Sequence, residues 1–296
     1  MISIEEAFAK FKSRLELTDS EQKDASRKQQ DVRSTMDNSA DVERDFLTGS
    51  YARHTKTKPL KDVDIFVVLG DEELHWKTKE GKKVLDYVKS ILDPVYGKNN
   101  VSLGRRSVQI KFRDSEGDEN ENDVDVLSID VVPAFEIPEG YLIPCTFDGW
   151  VKTNPDIHKN KATEANKAYD LEWKPMVKMV KKWNELHQKP IKPSFLIEVM
   201  ALELLRPPFK NGYLMELKFF FASLSARIGD QWGDPARLGP PVSDQMDAER
   251  IISAKKALKL AELQIQKVMT LKEQGKSGEA LRVLRDDVFG PKFPLS

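Results

Sequence analysis

Two aspartates separated by one valine, Asp62 and Asp64, open the apolar run Val63–Leu69, and a third, Asp130, interrupts a second apolar run, "LSIDVVPAF". In a strand, residues two apart project from the same face, so Asp62 and Asp64 present their carboxylates together, roughly 7 Å apart by the strand rise. Like charges that close repel and raise one another's proton affinity. A divalent cation removes the conflict. Magnesium suits the position because it takes hard oxygen ligands and keeps places open for phosphate. A second ion needs a third carboxylate, and Asp130 supplies it if its strand neighbours the first. Asp123 and Asp125 form another Asp-x-Asp and compete for that place, although they adjoin an acidic loop whose solvation accounts for them. The competing explanation is an ordinary ion pair, Asp62 with Lys61 or Asp64 with a lysine. It leaves too much charge uncompensated in two apolar strands, which is costly.

Upstream of the pair stands Gly49-Ser50. Glycine lets the backbone approach a phosphate closely, and backbone N–H groups with the Ser50 hydroxyl can grip its oxygens. Gly-Ser alone is a common turn; the Asp-x-Asp that follows gives it meaning.

The surrounding elements must position these groups. Helical spacing runs from Ile4 to about Leu15, and a polar helix capped at Asp19-Ser20 runs to about Met36. Strands are expected at Val42–Leu47, Val63–Leu69, Ser107–Phe112 and Asp123–Phe135, the last ending near Pro133, with short ones at Tyr141–Ile143 and Trp150–Lys152. A helix from Lys82 to Leu92 should stop at Asp93-Pro94. "DSEGDENEN" (Asp114–Asn122) reads as a solvated hairpin loop rather than a calcium site. From about Asp156 the pattern is helical, through "WKPMVKMVKKWNEL", Pro193–Leu205, Tyr213–Ile228, Asp247–Gln274 and Ser277–Asp287. Strands followed by helices indicate an α+β protein. The boundary falls near Gly149–Asn154, with residues 1–150 as a catalytic lobe carrying the N-terminal helices and 151–296 as a helical lid or substrate lobe.

At 296 residues, with 40% hydrophobic and 32% charged content, the composition is that of an ordinary globular protein. A formal net charge of −1 gives no overall case for a long nucleic acid or an anionic membrane as partner. Cys145 is the only cysteine, which excludes an internal disulfide and a cysteine zinc site, and the four histidines lack metal-ligand spacing. No apolar segment follows Met1 and none approaches the ~18 residues of a bilayer span, so a soluble, cytoplasmic protein is expected.

Gly49-Ser50, Asp62-Val63-Asp64 and Asp130 together resemble the active-site signature of the DNA polymerase β-like nucleotidyltransferase superfamily. The resemblance implies a two-lobed fold, with a mixed-sheet catalytic lobe and a helical second lobe. It also implies three acids binding two Mg2+ ions, for which Mn2+ can substitute, and a Gly-Ser loop holding the donor triphosphate. "FLTGSYARHTKTKPLKDVDIFVVL", "IDVVPAF", the Lys-Trp helix and "KPSFLIEVM" narrow the resemblance to the bacterial CD-NTases, over about residues 1–290. These are relatives of cyclic GMP-AMP synthase and oligoadenylate synthetase that make cyclic oligonucleotide signals in anti-phage (CBASS) defence. The resemblance then implies that Lys182 and Ser194 contact the triphosphate and that Phe195 packs near the donor base. It is closest to the E clade, in which the asparagine matching Asn166, in "ATEANKAYD", goes with uridine selection; an amide offers the uracil edge both a donor and an acceptor. Read without the resemblance, Lys182 is a helix lysine beside Lys181, Phe195 is core, and Asn166 is a solvated amide.

The expected activity is Mg-dependent synthesis of a cyclic dinucleotide, cyclic UMP-AMP, from ATP and UTP. A monomer is expected, without stably bound nucleic acid, whose product alone is read by an effector protein. The alternatives are a purine cyclic oligonucleotide synthase, a transferase modifying a tRNA, protein or small-molecule acceptor, and a catalytically dead nucleotide sensor. Retention of all three acids speaks against the last.

Overall fold

The computed structural model describes residues 2–112, 127–147 and 149–296. The expected hairpin loop at 114–122 and the rival pair Asp123 and Asp125 lie outside the described residues. The chain divides into two compact units, one of residues 17–159 and one of 1–16 with 160–296.

The sheet unit begins with α2 (Asp19–Asp37) and β1 (Val42–Thr48), then a single helical turn, α3 (Gly49–Ala52), and β2 (Asp62–Leu69). α4 (Gly81–Tyr96), β3 (Val101–Leu103), β4 (Val108–Phe112), β5 (Leu127–Ile137), β6 (Gly140–Cys145) and β7 (Gly149–Thr153) follow. The sheet order is β1-β2-β5-β4-β3, with β2 and β5 parallel at its centre and the other pairings antiparallel. β6 pairs the far end of β5 and carries β7 on its other edge.

The period of two divides the central strands between two faces. Val63, Ile65, Val67, Leu69, Ile129 and Val131 pack with Ala25, Val32 and Met36 of α2 and Val84, Val88 and Leu92 of α4. The opposite face carries Asp62, Asp64 and Asp130 and continues into a smaller apolar patch, Phe66, Val68, Val132, Ala134 and Tyr141. The acids therefore occupy one end of a face whose remainder is buried.

Three boundaries differ from expectation, each for a local reason. Thr18, not Asp19-Ser20, caps α2: its hydroxyl accepts from the Glu21 N–H at 3.2 Å, and the Glu21 carboxylate accepts from the Thr18 N–H at 2.8 Å. α4 runs through Pro94 to Tyr96, because a proline in the last turn removes only one intrahelical bond. β5 likewise passes Pro133, which lies between the last β4 partner, Val131, and the first β6 partner, Phe135.

The helical unit contains α1 (Ile4–Arg14), α6 (Trp173–Leu186), α7 (Phe195–Leu204), α8 (Gly212–Arg227), α9 (Ala248–Glu273) and α10 (Ser277–Val283). α5 (Pro155–Ala168) begins in the sheet unit and ends in the helical one. α1 belongs with these helices although β1 follows it in sequence after only one other helix. Phe8 and Phe11 pack against Tyr213, Phe289 and Phe293 with ring centroids 5.0–5.3 Å apart. Among the described residues, no helix is long and apolar enough to cross a membrane.

Candidate active site

Parallel pairing of β2 with β5 sets the site. In this register Asp64 stands opposite Asp130, and Asp62 opposite Ser128. β1 adds Thr48 opposite Asp64 on the other side, and β4 adds Gln109 opposite Asp130. Three acids from two strands thus converge on one patch of the sheet face.

Gly49 closes that patch. Its φ is +66°, and a Cβ at this position would lie 1.7 Å from Asp64 Oδ2. Only glycine permits both this backbone conformation and this approach to the carboxylate. Ser50 follows in α3, whose turn is held by Arg53 N–H to Gly49 O at 3.2 Å and Thr55 N–H to Ser50 O at 3.0 Å.

Each acid has a different environment. Asp62 accepts from Lys56 Nζ at 2.6 Å through Oδ2. The Ser128 hydroxyl shares its proton between Asp62 Oδ1 at 3.2 Å and Lys61 O at 3.0 Å. Asp130 accepts from the Ser107 hydroxyl at 3.3 Å. Burial and then the charges of Asp64 and Asp62 push its carboxyl up to about 7, against hydrogen bonds from Gln109 and Ser107 that hold it down. The three carboxylates thus lie close together, and Asp130 carries the cost of that proximity.

That crowding of carboxylates is the test for a divalent ion. The donors are hard carboxylate oxygens, and a cation, the Lys56 ammonium, already sits on one of them. Among the described residues no three His, Cys, Asp or Glu side chains form a ready-made ion cage. Magnesium takes hard oxygen donors and completes its shell with water and phosphate oxygens, so it needs no full protein cage. The residues fit such an ion.

Beside Gly49 lies a cavity of about 360 Å3. Arg44, Arg53 and Lys159 with Asp156 give it a charged lining, and Phe46 and Tyr141 an aromatic one. Arg44 is braced there by Tyr141 Oη at 3.0 Å and Glu136 at 2.9 Å.

The other expected residues lie in the helical unit. Lys182 is buried rather than a surface lysine, with its ammonium 3.0 Å from Glu185. Its neighbour Lys181 forms a buried pair with Glu198 of α7 at 2.6 Å. Ser194 is the N-cap residue of α7, and its side chain makes no capping bond. Phe195 is half-buried against the helical core. Asn166 accepts the Lys174 N–H at 3.0 Å through Oδ1, fixing the entry to α6.

Lys56, Ser128, Ser107 and Gln109 contact the acids and are absent from the sequence reading. Ser128 was accessible to the same rule that pairs Asp62 with Asp64, since it lies two residues before Asp130 in the same strand.

The chain matches the model of the Second Messenger Oligonucleotide or Dinucleotide Synthetase domain (SMODS) over residues 2–166. It is 26% identical over 278 residues to a probable cyclic nucleotide synthase, IK1_05630, of Bacillus cereus (strain VD146), covering 83% of this chain and 81% of that protein. It is 29% identical to the cyclic AMP-AMP-AMP synthase of Acinetobacter sp. (strain ATCC 27244 / 9458), over 66% of this chain and 54% of that protein, about half its length. The fold is similar to that of E. coli MS115-1 CdnC solved with ATP, with a TM-score of 0.74 over 99% of both chains at 20% identity. The mixed sheet with its helical unit is thus a polymerase β-like nucleotidyltransferase fold, and the chain belongs to the SMODS family, as a nucleotidyltransferase of the cyclic nucleotide synthase class.

Proposed function

We propose that this enzyme is a magnesium-dependent cyclic oligonucleotide synthase whose reacting centre is the face carrying Asp62, Asp64 and Asp130. The observation that carries the reading is the in-register pairing of Asp64 with Asp130 beside a glycine that leaves no room for a Cβ. Asp62, Asp64 and Asp130 would hold two Mg2+ or Mn2+ ions, which would supply activation of the acceptor ribose hydroxyl and offset charge on the triphosphate.

The chain's own groups divide the remaining work. Asp130, whose carboxyl is pushed up by burial and by the charges of Asp64 and Asp62 and which faces Asp64 across the parallel pair, takes the proton of the attacking hydroxyl. Gly49 and Ser50 present backbone N–H groups and a hydroxyl to the donor phosphates. Lys182 and Ser194 take the triphosphate, and Phe195 packs at the donor base. Burial of Lys182 and the uncommitted capping geometry of Ser194 support those roles. The cavity beside Gly49 seats the acceptor, with Arg44, Arg53 and Lys159 for its anionic groups and Phe46 and Tyr141 for its base. A second transfer in the same site closes the ring. The enzyme acts in the cytoplasm as a monomer on free nucleotides, and an effector protein binds its product in anti-phage (CBASS) signalling.

Nucleotide choice turns on Asn166. The E-clade reading assigns it to uracil and the product to cyclic UMP-AMP from ATP and UTP. Reading the N3–H of uracil requires the amide oxygen, and the Lys174 N–H already takes one of its two lone pairs and ties the side chain to the entry of α6. This favours the second reading, a purine product built from ATP. The name of the Acinetobacter relative points the same way.

The test is mass spectrometry of products from ATP, GTP, CTP and UTP with Mg2+ and no added acceptor. A cyclic oligonucleotide with stoichiometric pyrophosphate supports the proposal, and its bases decide between the two readings. Absence of pyrophosphate until a tRNA, protein or small-molecule acceptor is supplied would refute it.

A further inference from the structure

Lys56 lies in the segment between α3 and β2, six residues before the acid it meets. Its side chain is 16% exposed, whereas that of Asp62 is 48% exposed, so the lysine reaches in beneath the carboxylate. Its ammonium stands 2.6 Å from Asp62 Oδ2, and the Ser128 hydroxyl lies against Oδ1. Both oxygens of Asp62 are thus engaged, and Asp62 has a resident cation.

We infer that Lys56 is a built-in counter-ion of the metal site, which penalises divalent-ion entry without nucleotide and hands Asp62 over when a metal–triphosphate complex arrives. This rests on the reading of Asp62, Asp64 and Asp130 as the ion ligands. A divalent ion arriving alone must displace the ammonium and then sit close to it, leaving two like charges together. An ion arriving with a nucleoside triphosphate brings phosphate oxygens to which the ammonium can turn. Lysine suits the exchange, being a compact charge on a flexible stem with three donors and no fixed fork. Asp62 is then paired before loading, and the ammonium is paired after it. The enzyme would therefore take up metal together with nucleotide and bind it poorly before. Lys56 is a positioning residue on this account, acting through Asp62 and then on the polyphosphate.

The experiment is a Mn2+ titration of the full chain followed by electron paramagnetic resonance, without nucleotide and with non-hydrolysable ATP. Wild type, Lys56→Met, Lys56→Gln, Lys56→Arg and the double variant Asp62→Asn with Asp64→Asn are compared. Without nucleotide, the Met and Gln variants should bind Mn2+ about tenfold more tightly than wild type, the scale of one partly exposed ion pair. The Arg variant should resemble wild type. With non-hydrolysable ATP the advantage should disappear or reverse, because wild type regains a phosphate partner for its ammonium. Two charge-removing variants are included so that one that misfolds leaves the other to decide. Mn2+ affinity in a folded Met or Gln variant within twofold of wild type, or weaker, overturns the inference and makes the pair a fixed loop anchor. If the double Asp variant still binds Mn2+ like wild type, the ligand assignment itself fails, whatever the Lys56 variants do.

Discussion

Replacing Asp130 with Asn in metal-free buffer should stabilise the protein, and more so as pH rises. The Asp130 carboxyl lies near 7 in the folded protein, raised by burial and by Asp64 and Asp62, against about 3.9 in an unfolded chain. For an acid raised in this way, the stability of its protonated form is fully present below the unfolded value. It is lost as pH climbs through the folded value. Three units at about 1.4 kcal/mol each give a ceiling of about 4 kcal/mol, of which about 3 kcal/mol falls between pH 5 and 8. Asparagine resembles the protonated acid in shape and does not ionise. Other groups titrate in both proteins, so the difference between them isolates this one. Urea unfolding with EDTA at pH 5, 6, 7 and 8 should show a variant about 1.5 kcal/mol more stable at pH 5 and about 4 kcal/mol more stable at pH 8. Excess Mg2+ should narrow that gap, because the wild-type carboxylate regains a cation. A gap independent of pH, or a variant less stable than wild type at pH 8, would refute the account of repelling, buried carboxylates.

Other outcomes follow from the same geometry. Asp62→Asn with Asp64→Asn should abolish pyrophosphate release and leave the melting temperature in EDTA unchanged or higher; turnover or misfolding contradicts the ion-ligand assignment. Gly49→Ala should lower turnover at least about a hundredfold, since its Cβ must push the Asp64 carboxylate aside and misplacement of reacting groups is heavily penalised. It should also cost about 1–2 kcal/mol of stability from the left-handed backbone, read by urea unfolding. Asn166→Ser should leave the ratio of bases in the product unchanged while lowering the melting temperature, because the bond to Lys174 is lost; a shift from uridine to purine products would restore the E-clade reading.

Much of the sheet unit was legible because its code is local. Alternation in "DVDIFVVL" and "LSIDVVPAF" assigns faces without knowledge of partners, and the observed register follows it residue by residue. Partner choice over long distance was not legible. Phe8 and Phe11 announce an amphipathic helix, but nothing near them says that they will meet Phe289 and Phe293. Sequence order placed α1 with the strands, while aromatic burial places it with the helices. The prolines misled for a related reason. Pro94 and Pro133 are breakers by local rule, yet Pro94 falls in the last turn of α4 at the loss of one bond, and Pro133 falls between the β4 and β6 pairings.

The same distinction explains which parts of the site could be read. Carboxylates in apolar strands stand out because a buried charge needs a reason. A lysine in a polar loop needs none, so Lys56 was invisible until the strand end it reaches was known. Lys182 shows the reverse error: beside Lys181 it reads as a solvated surface residue, but α6 is buried on several sides, and its lysines survive there by pairing with Glu185, Glu198 and Glu16. Asn166 is subtler still. Its bond to Lys174 depends on a turn in which Asp170 and Leu171 take left-handed φ values of 53° and 65°, a conformation that a leucine adopts only under tertiary constraint. What an amide is free to recognise is set by the bonds it has already made. Chemistry was legible where it conflicts with its surroundings, and hidden where the surroundings had already absorbed it.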